Sequence, residues 1–576
     1  MANDDKTQSA PREVPWLVMV YLAGDNNLGE ELVFDVTEML KAKLSENVAV
    51  MAQLDSGIRD RPIMIHDASG RSTGKFNSGS LEQVLEVSKN GQDGPNKTDQ
   101  GGSGAAPPKS VEPDTQNGAG PEGRLRQKIL QFVKACSQKF KGAHNILVLN
   151  GHGSGVVQEF LQDNDPDPLT VSDLGELLGE VKEVLGKKID IFGMDSCLMS
   201  MAEVAFEVKD HAEIMISAEG FEPLAGWPYQ NILERLDKFS SLEPSPLNEL
   251  AENIVVDYVR YYTDYQAAGI SVDQAACRLS QSDTLVNAID NLATTLLEYM
   301  PELNKEQQSQ AESEDEEEDV AFRNRSVRNA VLISHWQAQP YKNERYTDLF
   351  DFCNLLYRNC REESVRRACQ AVKNAIKGTE KSDADRIQAP STNGDGKNGN
   401  GFVVKSCYSG PAVQHSHGVS IYFPWAKNER ELAAYTTLKF TKPKKDGVVE
   451  AKGEGPWMKF LISYLSNTKR RPRQGRGPKK NFDRRISVSL ENLGPITVST
   501  SNHKNGAENK NGSENKNGIE NKDIGNMPGT MRNPATDFFV CDQMPVDEKD
   551  IKLLRQPTGE TGAAMAAGSI EGAQSA

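Results

Sequence analysis

The stretch KKIDIFGMDSCLMS (187–200) decides how this chain is read. Ile189, Ile191 and the run through Phe192 and Met194 have the length and apolar character of a short buried strand. Cys197 follows where that strand gives way to a helical pattern, LMSMAEVAFEV. A second apolar run, NILVLNGHGSG (145–155), ends the same way, with His152 between Gly151 and Gly153. Open α/β sheets place ligand sites at the C-terminal ends of their strands. Cysteine and histidine delivered there are a nucleophile and a base suited to acyl transfer.

Working outward, the segment VSDLGELLGEVKEVL between the two runs repeats Leu174, Leu177, Leu178, Val181 and Val184 at helical spacing. A crossover helix of this kind makes the histidine and cysteine strands parallel neighbours. Upstream, WLVMVYLAGDNNLGE (16–30) reads as a strand stopping at Ala23 and Gly24, with Asp25 or Asn26 able to cap the helix that follows. VAVMAQL (48–54) and the apolar residues around Ile63 and Ile65 continue a strand–helix–strand pattern, and AEIMISAEG (212–220) supplies a further strand. Residues 241–300 read as helices with a strand-like break at AAGISV. FVVKSCY and HGVSIYFPW are later strands that complete the sheet or a flanking subdomain. The expected fold is α/β with a mostly parallel central sheet.

Composition bounds the rest. Of 576 residues only 37% are hydrophobic and the net charge is −16, which argues against general nucleic-acid binding by the whole chain. No 18-residue apolar run is present, so no membrane span is expected, and the acidic N-terminus does not resemble a secretory signal. Eight cysteines at irregular spacing, without a CxxC, suggest neither a disulfide framework nor zinc, and a reducing, cytoplasmic location is the default expectation. Residues 1–13 are expected to be disordered, as is the glycine-rich insertion 89–122. The unit 14–300 is then followed by an acidic linker, 301–324, a second ordered part, 325–468, and a tail, 469–576. Within the tail, 469–485 carries nine Lys and Arg and 502–522 is a low-complexity repeat, with only ISVSL and ITVST able to add strands. The basic segment is the one place where nucleic-acid contact stays open, beside a solvated tail or a sorting signal. The acidic run from Glu312 to Asp319 reads as a solvated linker rather than a calcium loop, since it lacks EF-hand glycine spacing.

Taken singly, His152 and Cys197 have bland readings as a structural histidine and a buried thiol. GHGSG also fails the GxxxxGK[ST] phosphate-loop pattern. Together, the two residues match a family. The chain resembles the clostripain family of cysteine peptidases, which share the caspase-like α/β/α sandwich with caspases, gingipains and legumain. The match rests on VYLAGDNNL (20–28), NGHGSG (150–155) and DIFGMDSCLMSMAEVA (190–205). It continues through SAEGFEPLAGWPY (217–229), RYTDLFDF (345–352) and HGVSIYFP (417–424), covering roughly residues 14–465 in the family's order.

The resemblance implies Cys197 as nucleophile, His152 as acid/base, and the backbone N–H groups of Gly153 and Cys197 as the oxyanion hole, with no third triad member required. It implies peptide or protein substrates with Arg or Lys before the scissile bond, Asp195 lining the pocket, and the segment 217–229 with Ser217, Glu219 and Trp227 forming its wall. A structural reading of Asp195, bonding turn amides, stays open beside this one. Ala225 stands where a second acid before Gly226 would strengthen basic selectivity, and Glu222 is not placed by the sequence. No cofactor is certain, with Ca2+ left open. The loop after His152 has no Lys or Arg before Lys182, which argues against self-cleavage at the family's usual place and directs attention to the basic tail. The rival readings are a catalytically silent caspase-like scaffold and an unrelated cysteine amidase on an α/β sheet.

Overall fold

The computed structural model describes residues 10–55, 63–66, 124–161, 169–240, 246–263, 270–300, 314–378, 400–445 and 448–467. The strands are β1 (Arg12–Ala23), β2 (Val48–Asp55), β3 (Ile63–His66), β4 (Phe140–Asn150), β5 (Ile189–Asp195), β6 (Ala212–Ser217), β7 (Val272–Arg278), β8 (Pro340–Tyr341), β9 (Tyr346–Asp348), β10 (Val403–Ser409) and β11 (Ser420–Tyr422), with a two-residue pair, β12 (Lys444–Lys445) and β13 (Val448–Val449), apart from the rest. Eight of them form one sheet in the order β10-β7-β6-β5-β4-β1-β2-β3. Pairing is parallel from β2 through β6 and antiparallel only for β3, β7 and β10 at the two sides.

Alternation along β1 explains why both faces are covered. Leu17, Met19, Tyr21 and Ala23 enter one core, and Trp16, Val18, Val20 and Leu22 enter the other. A strand buried on both faces reads as a continuous apolar run, as in other parallel sheets. Helix α1 (Gly29–Lys41) and the helices Tyr229–Phe239 and Leu247–Thr263 cover the second face. The helices Arg124–Lys139, Val171–Leu185, Ala202–Val208 and Ser282–Leu297 cover the first. This is the α/β/α layering expected from the sequence. The late segments extend both parts of it: β10 pairs with β7 at the sheet edge, and β8, β9 and β11 form a separate three-stranded sheet.

The crossover helix Val171–Leu185 is closed at both ends by its sequence. Thr170 and Asp173 make a reciprocal capping box, and Gly186 ends the helix at φ 70°. At the start of α1, Asn26 makes the local turn instead of a helix cap: its Oδ1 accepts the Leu28 N–H at 2.8 Å and its Nδ2 donates to the Ala23 carbonyl at 3.0 Å.

Three boundaries differ from the sequence reading. The acidic residues from Glu314 onward belong to a helix, Glu314–Gln337, rather than to a linker ending at 324, in keeping with the good helix propensity of Glu. Strand β1 begins at Arg12, two residues inside the segment expected to be disordered. The strand expected at AAGISV lies further on, at Val272–Arg278. The insertion 89–122, the linker portion 301–313 and the tail 469–576, with ISVSL and ITVST, fall outside the described residues.

Candidate active site

β4 and β5 pair in parallel with Asn150 opposite Asp195, so their C-terminal ends lie side by side. His152 follows one end by two residues and Cys197 the other by two. The backbones then close on one another. A Cβ built on Gly153 would fall 2.0 Å from the Cys197 carbonyl oxygen and 2.9 Å from the Cys197 nitrogen, so no side chain fits there. Among the described residues the Gly153 N–H donates to no protein acceptor.

The turn carrying Cys197 is tight. Leu198 adopts φ 66° although it is a buried leucine, with its N–H donated to the Gly220 carbonyl at 2.8 Å. Left-handed backbone in a non-glycine residue costs on the order of 1 kcal/mol and persists where surrounding structure enforces it. Packing on the segment 218–220 supplies that enforcement: Ser200 also donates to the Ala218 carbonyl at 2.8 Å. The helix after Cys197 begins only at Ala202, later than the sequence pattern suggested. Cys197 is half-buried, and the Glu222 N–H points at its Sγ at 3.2 Å. A backbone donor in this position stabilises negative charge on sulfur.

His152 is half-buried, and burial lowers its pKa below the usual histidine value, which favours neutral imidazole. Its Nε2 lies 2.6 Å from Asn27 Oδ1. With an oxygen acceptor at Nε2 the proton sits on that nitrogen, leaving Nδ1 as the basic one. Asn27 was not singled out from the sequence; its signal was the polar DNN at the end of β1, in line with the ends of β4 and β5.

Asp195, at the end of β5, is 3% exposed. Its Oδ2 accepts from Asn150 Nδ2 at 2.8 Å, the Tyr229 hydroxyl at 2.9 Å and the Trp227 N–H at 3.0 Å. One of these donors is a backbone amide, but it comes from the segment before Tyr229 and not from the turn that follows Asp195. Burial is the main cause of a raised Asp195 pKa, with hydrogen bonds to the Glu222 carboxyl, the Trp227 N–H and the Tyr229 hydroxyl acting against it. Two further acids adjoin it. Asp35 from α1 shares the Asn150 amide at 2.8 Å. Glu222 accepts from Gln274 Nε2 at 3.1 Å and Trp227 Nε1 at 3.4 Å. Burial, then the charge of Asp195, pushes both carboxyls well above their ordinary range.

The wall residues divide. Trp227 packs on β5, its ring lying so close to Gly193 that an added Cβ there would be 2.8 Å from it. Ser217 is fully buried at the end of β6, and its hydroxyl has no partner among the described residues. Glu219 turns the other way: its Oε2 accepts the Gly418 N–H at 2.6 Å, and its nearest acids are Asp348 and Asp273. The structure thus removes Glu219 from the Asp195 wall and puts Glu222 there, because neighbouring side chains of an extended loop face opposite sides.

Seven cysteines lie among the described residues and none of them is in a disulfide. Among the same residues no cluster of His, Cys, Asp and Glu is arranged to hold a metal ion, and no helix is long and apolar enough to cross a membrane.

A family model described as the clostripain family matches residues 116–443, more than half of the chain. Clostripain of Hathewaya histolytica is 21% identical over 501 residues, covering 78% of this chain and 87% of that protein. Similar solved structures include a secreted C11 cysteine protease of Bacteroides thetaiotaomicron in complex with an irreversible peptide inhibitor, at 14% identity and TM-score 0.41, covering 74% of this chain and 98% of that one. An inactive zymogen C11 protease of Parabacteroides distasonis is similar at 15% identity and TM-score 0.37, covering 75% and 98%. The chain belongs to the clostripain family and is a cysteine-type peptidase of α/β/α fold.

Proposed function

We propose that the chain is an endopeptidase that cleaves after Arg or Lys through a Cys197–His152 dyad. The observation that carries this reading is the closure of the histidine loop on the cysteine turn, with the Gly153 backbone against that of Cys197. Neutral His152, its Nε2 held by Asn27, takes the thiol proton at Nδ1. The thiolate attacks the substrate carbonyl carbon, and the oxyanion is received by the N–H groups of Gly153 and Cys197. His152 then gives its proton to the departing amine, leaving a thioester on Cys197. Water, deprotonated by His152, hydrolyses the thioester and restores the thiol.

Asp195 is the pocket acid for the basic side chain. Among the described residues it has no Lys or Arg partner, and an incoming substrate cation would favour its ionised form against the effect of burial. Its burial, and the seat of Glu222 on Sγ, mean that the segment 219–226 shifts when a substrate side chain enters.

The test is hydrolysis of fluorogenic peptides with Arg, Lys, Asp or Ala before the reporter, by wild type and Cys197→Ala, with calcium and chelator arms. Turnover of Arg and Lys peptides that disappears in the variant supports the reading. A wild type that cleaves Asp or Ala peptides as well as Arg would refute the specificity. Complete silence, before and after limited trypsin treatment, would favour the non-catalytic scaffold.

A further inference from the structure

Asp35 occupies the inward face of α1, in line with buried Leu32, Val36 and Met39. It is 0% exposed, and only one of its oxygens is used: Oδ2 accepts from Asn150, whereas Oδ1 has no partner among the described residues. The Asn150 nitrogen also donates to Asp195 at 2.8 Å, so the two Oδ2 atoms are no further apart than the sum of two such bonds. Both carboxylates converge on Gly226. A Cβ built there would be 3.0 Å from Asp195 Oδ2 and 3.2 Å from each oxygen of Asp35. At φ 60°, and with the acids this near, the position takes only glycine, whose backbone lies directly against both carboxyls.

No basic side chain pairs with either acid among the described residues, and burial favours the protonated form of both. The charges that bear on Asp35 are those of Asp195, Glu38 and Glu31, all of one sign. A buried carboxylate with a single hydrogen bond is far costlier than a leucine or asparagine in the same place. Residues that break a local rule in this way mark positions where the charge is used.

We propose that Asp35 is the second carboxylate of the substrate pocket and, with Asp195, receives the guanidinium of an Arg side chain. The inference rests on the proposed function and names the residue that completes it: Asp35 supplies, from α1, the charge that Ala225 does not. A planar guanidinium can donate along separate edges to two carboxylates, which an ammonium does less well. The pocket therefore selects Arg over Lys.

The test compares kcat/KM for Arg, Lys and citrulline peptides in wild type, Asp35→Asn and Asp195→Asn. Loss of one charged hydrogen-bonding partner lowers kcat/KM for Arg by roughly 10- to 100-fold. In Asp35→Asn the Arg-to-Lys and Arg-to-citrulline ratios should both collapse. An equal fall for all three peptides would mean that Asp35 only supports the fold, and would overturn the inference while leaving the basic specificity intact. Wild type that does not distinguish Arg from citrulline would overturn both. Should Asp35→Asn fail to fold, inhibition of wild type decides. Agmatine should inhibit at least ten-fold better than cadaverine, and equal inhibition contradicts the two-carboxylate pocket.

Discussion

Two groups of buried acids flank the segment 218–226, and they are satisfied differently. On one side Glu219, Asp273, Asp348 and Asp351 each accept at least one backbone N–H. Asp273 takes those of Glu219 and Gly220 at 2.8 and 2.9 Å, and Asp351 takes that of Gln339 at 2.9 Å. His417 adds its ring 3.3 Å from Asp348. On the other side Asp35 and Glu222 accept only side-chain donors, while Asp195 between them also takes the Trp227 N–H; one buried oxygen without a partner among the described residues remains on Asp35, on Glu222 and, in the first group, on Glu219. Backbone donors are part of the fold and cannot leave; side-chain donors can be displaced by a ligand. The first group ties the loop to β7, β9 and the β11 side of the molecule, and the second is the one proposed to receive a substrate cation.

The largest expected effects lie between the two groups, at the turn they support. Cys197→Ala and His152→Ala should each remove turnover to background, because the two act as one unit and their losses are not additive. Next comes the comparison itself. Asp195→Asn should lower kcat/KM for Arg peptides by roughly 100-fold, the scale of a lost charge-assisted hydrogen bond. Asp273→Asn should instead lower thermal stability and leave the ratio of Arg to Ala cleavage unchanged. If Asp273→Asn altered selectivity and Asp195→Asn did not, the division would be drawn the wrong way round.

A smaller effect is expected at Asn27. Asn27→Ala should reduce kcat roughly ten-fold, a fraction of what general acid–base catalysis contributes. Asn27→Asp should move the acid limb of the pH–rate profile upward, since a carboxylate favours imidazolium. A residue with a merely structural role would leave that limb in place.

The smallest effect is on stability against pH. Burial raises Asp273 and Asp351 to about 7 from an ordinary 3.8, and Glu203 to about 7 from 4.5. The folded protein keeps these protons where the unfolded chain has released them. Their contribution is thus whole below about pH 4 and is lost as pH rises through about 7. Melting temperature should fall between pH 5 and pH 8, and Glu203→Gln should flatten part of that slope. Glu203 Oε1 accepts the Tyr422 N–H and the Tyr435 hydroxyl, each at 2.8 Å, which an amide oxygen can also do. A midpoint that rises with pH would contradict the assignment of these acids as protonated.

The sequence revealed what is local. Strand, glycine and histidine in NGHGSG, and strand, aspartate and cysteine in GMDSCL, each state their position within a few residues, and parallel pairing of β4 and β5 followed from the intervening helix. Asp35 stayed hidden because its partner Asn150 is 115 residues away, and its place depends on how α1 docks on the sheet. An aspartate within the apolar stripe of α1 was the available signal. Glu219 was set beside Asp195 and Glu222 left unplaced because the two are three residues apart on one loop, and sequence does not show that they face opposite acid groups. The first part of the helix Glu314–Gln337, up to residue 324, was taken for linker because composition records charge but not the docking that fixes Val327 and Val331 of the same helix in the core.

The most direct measurement is covalent labelling. Wild type treated with Arg-, Lys-, Asp- or Ala-terminated chloromethyl ketone peptides would be digested and the modified residue located by mass spectrometry. The account predicts one adduct per chain, on Cys197, formed fastest with the Arg reagent and slowed in Asp195→Asn. Labelling of another cysteine, or equal rates with the Asp and Arg reagents, would contradict it.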